Sequence, residues 1–446
     1  MSKPTPGHPV RSRLRLSGRA DRVVLVAALG ILSAVSPMAT DMYLASMPAM
    51  AVHFGASTSA VQLTLTSYMV GMALGQFLLG PVSDVLGRHR LMVAGNVLFL
   101  LSSVAVVLAP SVGAVIVLRA VQGAAGAAGV VIARAVVSDI ASGRRAAQLF
   151  SVLATITSLA PVVAPLLGGV IATVAPWQTV FWALAAFGLL MLACSVLVVP
   201  ETLPPHRRHR GGVGAVVGGS WRVLRTPSFM GYALAFGSAF GALFSYISAS
   251  SFVVQNVLGY SALGYSVIFA VNACGSILGA LVNTRLVGRV EPGTVLRTAL
   301  VVMGTVNVVG LALVLAGITG WTTLAHLFVS QACIGFVLGN AVALAQSRVP
   351  GRAGAGSAVL GLVQFLIGGL VSPLTGLAGQ HSAVPMAVSM AVCSLLAVGA
   401  VLLAGRLSRR PPGKPSPSAG PSAGPSAGPS PGGDSRGPHR GVPPDP

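Results

Sequence analysis

Twelve apolar runs of about 20 residues fill the chain between residues 22 and 405. They lie near 22–44, 59–80, 90–110, 113–137, 146–171, 177–199, 229–253, 262–284, 295–317, 321–345, 354–377 and 383–405. A helix rising 1.5 Å per residue crosses the roughly 30 Å hydrocarbon core of a bilayer in about 20 residues. Inside that core every backbone N–H and C=O needs an internal partner, which leaves helices or closed barrels. The runs show no period-two alternation, so they predict helices. Charge agrees with this: 8% of the residues are charged, against roughly 25% in soluble domains. The fold class is all-α integral membrane, with twelve transmembrane helices.

The arginines order these spans. Arg88 and Arg90 follow the second run, Arg144 and Arg145 the fourth, and Arg207, Arg208, Arg210, Arg222 and Arg225 the sixth. Arg285 and Arg289, Arg348 and Arg352, and Arg406, Arg409 and Arg410 follow the eighth, tenth and twelfth. The alternate connections, near 45–58, 111–112, 172–176, 254–261, 318–320 and 378–382, carry no Lys or Arg. By the positive-inside rule the arginine-rich side is expected to be cytoplasmic, with both termini there. Losing one span would put arginine-rich loops outside, so the asymmetry also supports the count.

The same distribution sets the expected domains. Residues 1–21 read as a basic cytoplasmic tail that an anionic lipid surface would attract, and 22–199 as a first six-helix bundle. Residues 200–228, rich in Pro, Gly and Arg, read as a cytoplasmic linker, and 229–405 as a second six-helix bundle. The Pro/Gly/Ser repeats of 406–446 read as a disordered cytoplasmic tail.

Several function classes fall away. The net charge of +20 comes from residues between apolar runs, so it is a topology signal and not a nucleic-acid surface. Cys194, Cys274, Cys333 and Cys393 lie inside apolar runs without metal-ligand spacing, so neither a disulfide framework nor a metal site is expected. No Walker-type phosphate loop, His-Glu-x-x-His or Gly-x-Ser-x-Gly arrangement is present; ATP-driven pumping, catalysis and a bound cofactor are not expected. The first run passes into Asp41-Met42-Tyr43 and reads as a retained helix, not a cleaved leader.

The loop after the second run, Gly80-Pro81-Val82-Ser83-Asp84-Val85-Leu86-Gly87-Arg88-His89-Arg90, is expected to end one helix at Gly80-Pro81 and turn at Gly87. It resembles the loop signature of major facilitator superfamily transporters through Gly80, Asp84, Gly87, Arg88 and Arg90, and departs at Val85 and His89. Gly279, Asn283, Arg285, Gly288 and Arg289 echo it weakly in the second half, as two related six-helix bundles would. The resemblance implies the major facilitator fold.

A charge at bilayer depth is costly and is a site hypothesis by default. Of the eight acids, only Asp41 approaches the membrane from the arginine-free side. It falls about 18 residues after the start of the first run, or about 27 Å along a helix, which predicts a place near the outer end of the span. Thr40-Asp41-Met42-Tyr43-Leu44 with Pro48 resembles the first helix of the bicyclomycin- and chloramphenicol-resistance (Bcr/CflA) branch of drug:proton antiporters, without that branch's proline near Ala45. Asp41 reads as a proton-binding carboxylate facing a central cavity, or as an interfacial acid that helps end the helix. Arg119 enters the fourth span, and Arg119-Ala120-Val121-Gln122-Gly123 resembles the superfamily's Arg-x-x-Gln-Gly motif. If Arg119 lies near Asp41, protonation and transport are coupled through the pair; otherwise Arg119 braces two helices. Arg134 and Asp139 fall at the inner end of the fourth span. Asp139 is placed to meet Arg88, as the resemblance implies, in a gate that holds one access state.

The fifth span carries Pro161, Pro165, Gly168 and Gly169. Two prolines remove backbone donors and the glycines admit a close neighbour. The segment resembles the superfamily's antiporter motif, with Ala164 in place of a glycine, and so implies export. Tyr246 to Gln255, rich in hydroxyls, suits a cavity for amphipathic compounds and resembles the same branch, which has Pro at Ser251. Tyr43, Tyr68, Tyr246, Ser248, Gln255, Asn272 and Gln364 are candidate cavity residues, with Gln62, Gln76 and Asn340 as further polar candidates in the spans. Together these features imply a proton-driven exporter of small, drug-like amphipathic molecules in a bacterial cell membrane, expected as a monomer. An exporter, or a proton-linked importer, of an endogenous metabolite is the alternative reading.

Overall fold

Whole helices that turn large apolar side chains outward along their length call for lipid as the solvent, and the computed structural model is built that way. It describes residues 19–141, 143–204, 221–286, 288–350 and 352–408. Leu74, Leu101, Trp182, Leu278, Leu281 and Leu396 all lie more than half exposed, on helices whose opposite faces are packed. Among the described residues twelve helices are long and apolar enough to cross a membrane.

The helices are α1 (Val23–Phe54), α2 (Thr58–Leu86), α3 (Arg88–Val107), α4 (Val112–Ile140), α5 (Gly143–Val174) and α6 (Gln178–Leu197). The second half has α7 (Pro227–Phe252), α8 (Ala262–Leu286), α9 (Pro292–Leu315), α10 (Trp321–Gln346), α11 (Ala353–Val371) and α12 (Val384–Ser408). A π turn, Val253–Val257, extends α7, and a 3-10 turn, Ser372–Gly376, extends α11. The expected tail 1–21 and the C-terminal tail lie almost wholly outside the described residues, as does most of the 200–228 linker.

Neighbours repeat with an offset of six helices. In the first half α4 packs on α2 and α3, and α3 on α6; in the second, α10 packs on α8 and α9, and α9 on α12. The halves meet along α5 against α8 and α2 against α11, which are the same pair under that offset. This is the arrangement of two six-helix bundles related by a two-fold axis along the membrane normal.

Small residues set the close crossings. A Cβ on Gly123 would strike the backbone of Tyr68 and Met72, and one on Gly71 the backbone of Ala120, so α2 and α4 touch main chain to main chain. Gly335 against Ala280 and Gly279 against Ala332 repeat this between α8 and α10.

Two boundaries differ from expectation. The first span does not end near residue 44. It breaks at Ala34, passes through Val35–Asp41 and a 3-10 turn, Leu44–Ser46, and resumes as Met47–Phe54. Pro48 sits in the first turn of that last piece, where its missing N–H costs nothing, and Gly55 closes it in the left-handed conformation at φ 56°. Nor does α2 end at Gly80-Pro81. A proline forfeits one helical donor, and the helix runs on to Leu86. The turn falls at Gly87, whose φ of 96° only glycine adopts readily.

Candidate functional site

The interruption of α1 carries the first part of the site. Asp41 is the last residue of the Val35–Asp41 segment and is 5% exposed. With α1 extending to Phe54, Asp41 lies in the middle of the span, not near its outer end as the sequence suggested. Its Oδ1 accepts a hydrogen bond from Thr40 Oγ1 at 2.8 Å.

Arg119, fully buried in α4, does not form an ion pair with Asp41. Its Nη2 donates to the Ala39 carbonyl at 2.9 Å and its Nη1 to Gln122 Oε1 at 2.6 Å. The guanidinium carbon lies 4.4 Å from the ring centroids of both Tyr43 and Tyr68, and 5.8 Å from that of Phe181. Two ring faces and two oxygens replace the carboxylate the sequence offered. Gln122 Nε2 continues the chain to Ser103 Oγ at 2.7 Å, so α1, α4 and α3 are linked through one arginine. The acceptor on α1 is two residues from Asp41; any shift of that carboxyl's segment is a shift of Arg119's partner.

Gly168 of α5 closes on the same break, because a Cβ there would run into the main chain of Met42. Pro161 and Pro165 lie inside α5. Gly169 faces the other way, against Ser266 of α8. The helix 5 motif therefore stands between the interrupted span and the second half.

On the arginine-free side the halves are closed. Ser59 Oγ donates to the Pro373 carbonyl at 2.9 Å and Thr66 Oγ1 to the Gly369 carbonyl at 3.1 Å. Gln62 Nε2 donates to the Ser248 carbonyl and Gln255 Nε2 to the Ala45 carbonyl, each at 3.1 Å. On the arginine-rich side a cavity of about 830 Å³ lies between α2, α4 and α11. Gln76, Phe77, Val131, Arg134, Ser357 and Phe365 are among its walls, and Asp84 and Gly354 stand nearest the arginine-rich end.

Of the residues expected to line a cavity, Gln76 lines this one and the others do not. Tyr43 meets Thr64 Oγ1 at 3.2 Å, and Tyr68 is wholly buried against Arg119. Tyr246 accepts from Asn272 Nδ2 at 2.9 Å and stacks on Phe269 at 5.3 Å. Ser248 meets Thr375 Oγ1 at 3.1 Å, Gln255 belongs to the closed seam, and Gln364 of α11 is half-buried. Tyr43, Tyr68, Tyr246, Ser248 and Asn272 are all buried.

At the arginine-rich end, Arg88 Nε pairs with Asp139 at 3.2 Å and its Nη1 with Asp84 at 2.7 Å; Nη1 also meets Ser83 Oγ. The expected Arg88–Asp139 pair is present, and both ends lie in the first half. Glu201, just past α6, accepts from the backbone N–H of Arg88 at 3.0 Å and of His89 at 3.4 Å, a carboxylate at the positive end of α3. Thr202 Oγ1 donates to Asp139 at 2.7 Å. Arg90 is exposed and takes no part. Glu201 and Thr202 carry no local signal in the sequence, because their partners are more than 60 residues away.

A multi-pass protein of two six-helix halves, closed on one side and cavitied on the other, with a buried acid and arginine in the first half, has the build of a carrier. Residues 29–373 match the family described as Major Facilitator Superfamily, and the chain belongs to it, a family of transporters and not of enzymes. It is 36% identical over 378 residues to an uncharacterized MFS-type transporter, YdgK, of Bacillus subtilis, covering 84% of this chain and 94% of that protein. It is 30% identical to a bicyclomycin resistance protein homolog of Haemophilus influenzae, over the same shares. With multidrug resistance protein MdtL of Klebsiella pneumoniae it shares 28% over 81% of this chain and 91% of that one. Among solved structures, a bacterial homolog of the human lysosomal transporter Spinster superposes with a TM-score of 0.70 at 18% identity, covering 88% of this chain and 98% of that one. A D-xylose-proton symporter gives 0.66 at 16%, over 87% and 97%. At such identities these two speak for the fold.

Proposed function

We propose that this transporter exports small amphipathic, drug-like molecules from the bacterial cytoplasm in exchange for protons, by alternating access between its two halves. The observation that carries the proposal is Asp41, a buried carboxyl in the interrupted middle of α1, two residues from the carbonyl that Arg119 holds. Protonation there removes a charge from a low-dielectric site and changes the segment on which Arg119 depends. Arg119 and Gln122 then transmit the change to α4 and α3. The drug-resistance names of two relatives support the cargo class.

The arginine-rich side is read as cytoplasmic, so the conformation described is inward-facing and the cavity takes cargo from inside. The Arg88, Asp84, Asp139 and Glu201 cluster ties α2, α3, α4 and the end of α6 so that the first half rocks as one body. Gly168 and Gly169 give α5 a close seat on both sides while it does so. Moving one charge through 100 mV supplies about 2.3 kcal/mol.

The test is expression in a bacterial host stripped of its own exporters, with growth and dye accumulation measured against neutral, cationic and anionic amphipaths. Several-fold resistance and lowered accumulation for at least one compound, both abolished by a protonophore, are expected. Unchanged growth and accumulation across the panel would overturn drug export, and export indifferent to a protonophore would overturn proton drive.

A further inference from the structure

The cavity holds one uncompensated charge. Only Asp84 and Arg134 are charged among its lining residues, and Asp84 is committed to Arg88. Arg134 lies six residues before the end of α4 at Ile140, about 9 Å into the span. It borders two spaces at once: the 830 Å³ cavity, and a second of about 380 Å³ between α1, α4 and α5 that includes Ser33, Thr157 and Ser158. Its side chain is exposed to them. No carboxylate, carbonyl or ring among the described residues pairs with its guanidinium. Asp139, the acid on the same helix, is taken by Arg88 and Thr202.

Arg119, about four turns earlier on the same helix, shows what this protein does with an arginine that braces helices: it is fully buried, with an oxygen on each Nη and tyrosine rings 4.4 Å from its guanidinium carbon. Arg134 is the opposite case. A guanidinium near the inner end of a span needs an oxygen partner or water, and its planar fork fits two oxygens of one oxyanion. We infer that Arg134 recognises an anionic group, a carboxylate or comparable oxyanion, on the transported molecule, with the apolar body of the cargo held by Phe77, Val131 and Phe365. Exposed Arg90, Arg145 and Arg352 on the same side raise the local concentration of anions at the entrance. An anion leaving a cell of negative interior moves down the electrical gradient, which adds about 2.3 kcal/mol per 100 mV to that from an entering proton.

This inference rests on the export reading above and narrows its cargo. The test uses the full chain in phosphatidylcholine nanodiscs and a matched pair of probes, 2-naphthylacetate and its primary amide, with affinities measured by equilibrium dialysis. The wild type is expected to bind the carboxylate about tenfold more tightly than the amide, the size of one charge-assisted hydrogen-bonded contact. Arg134→Gln brings the ratio to about one and Arg134→Lys keeps part of it, with unfolding temperatures checking that both variants fold. Ser357→Asp, which puts a carboxylate on the facing wall, is the second variant and lowers the ratio without touching Arg134. A wild-type ratio near one, or one that both variants leave unchanged, would overturn the inference. So would loss of carboxylate binding on adding phosphatidylglycerol, because Arg134 would then be a lipid headgroup site. Proton flux driven by a neutral amphipath in the wild type is measured separately. If it is present while the ratio is one, only the anion inference fails; if no amphipath of any charge moves protons, the export reading itself fails.

Discussion

Arg119 shows how a charge is kept at bilayer depth without a counter-ion. Its donors are divided between the Ala39 carbonyl and Gln122, and two tyrosine rings cover its faces at 4.4 Å. A lysine has one compact charge and no fork. We expect Arg119→Lys to abolish transport and to lower the unfolding temperature, since an unpaired buried acceptor costs about 1–3 kcal/mol; thermal unfolding and whole-cell efflux check it. The importance of this residue was legible in its type and place, an arginine in an apolar run followed by Gln122 and Gly123. Its partners were not, because a carbonyl on α1 and rings from three helices leave no trace in the spacing around residue 119. Of the two readings the sequence left open, a pair with Asp41 or a brace between two helices, the hydrogen bond to the Ala39 carbonyl corresponds to the brace; acids and bases can be counted in a sequence, while carbonyls and ring faces are everywhere in it.

At the scale of elements, the interrupted α1 and the glycines of α5 belong together. Gly168 lets α5 lie against the main chain of Met42, where no side chain fits. Gly168→Val overfills that contact, at about 1–3 kcal/mol, and is expected to lower stability and to impair transport more than Gly169→Ala, whose Cβ meets the Ser266 side chain; paired unfolding and efflux measurements decide. The twelve spans were legible because hydropathy and arginine placement act over whole helices. The ends of α1 and α2 were not. Gly80-Pro81 looks like a terminator, yet a proline inside a long helix forfeits a single donor and α2 runs on to Leu86, while Pro48, in a first turn, starts the last piece of α1.

The whole molecule is asymmetric across the membrane. One side is drawn together by Ser59, Gln62, Thr66 and Gln255, and the other holds the cavity. If the halves rock to carry cargo, the closed seam must part in every cycle. A short, reducible cross-linker between Ser59→Cys and Pro373→Cys, in a chain whose four native cysteines are serines, is expected to stop transport and to release it on reduction. Transport that continues in the fully cross-linked protein would show that the seam does not open. The six-helix repeat was visible in the sequence as a faint second loop motif, and of the cavity candidates only Gln76 lies on its wall. Tyr43, Tyr68, Tyr246, Ser248 and Asn272 are buried elsewhere, and Arg134, which the sequence marks only as a charge near the inner end of the fourth span, borders the cavity.

The most direct measurement places the purified protein in liposomes with an internal pH dye, under an inward proton gradient, and adds the compound it exports. Wild type and Asp41→Asn are compared at equal reconstitution. Drug-dependent proton entry in the wild type, lost in Asp41→Asn while cargo binding persists, is the predicted result. Equal drug-dependent proton entry in the two proteins would contradict Asp41 as the proton carrier, and with it the coupling mechanism proposed for this transporter.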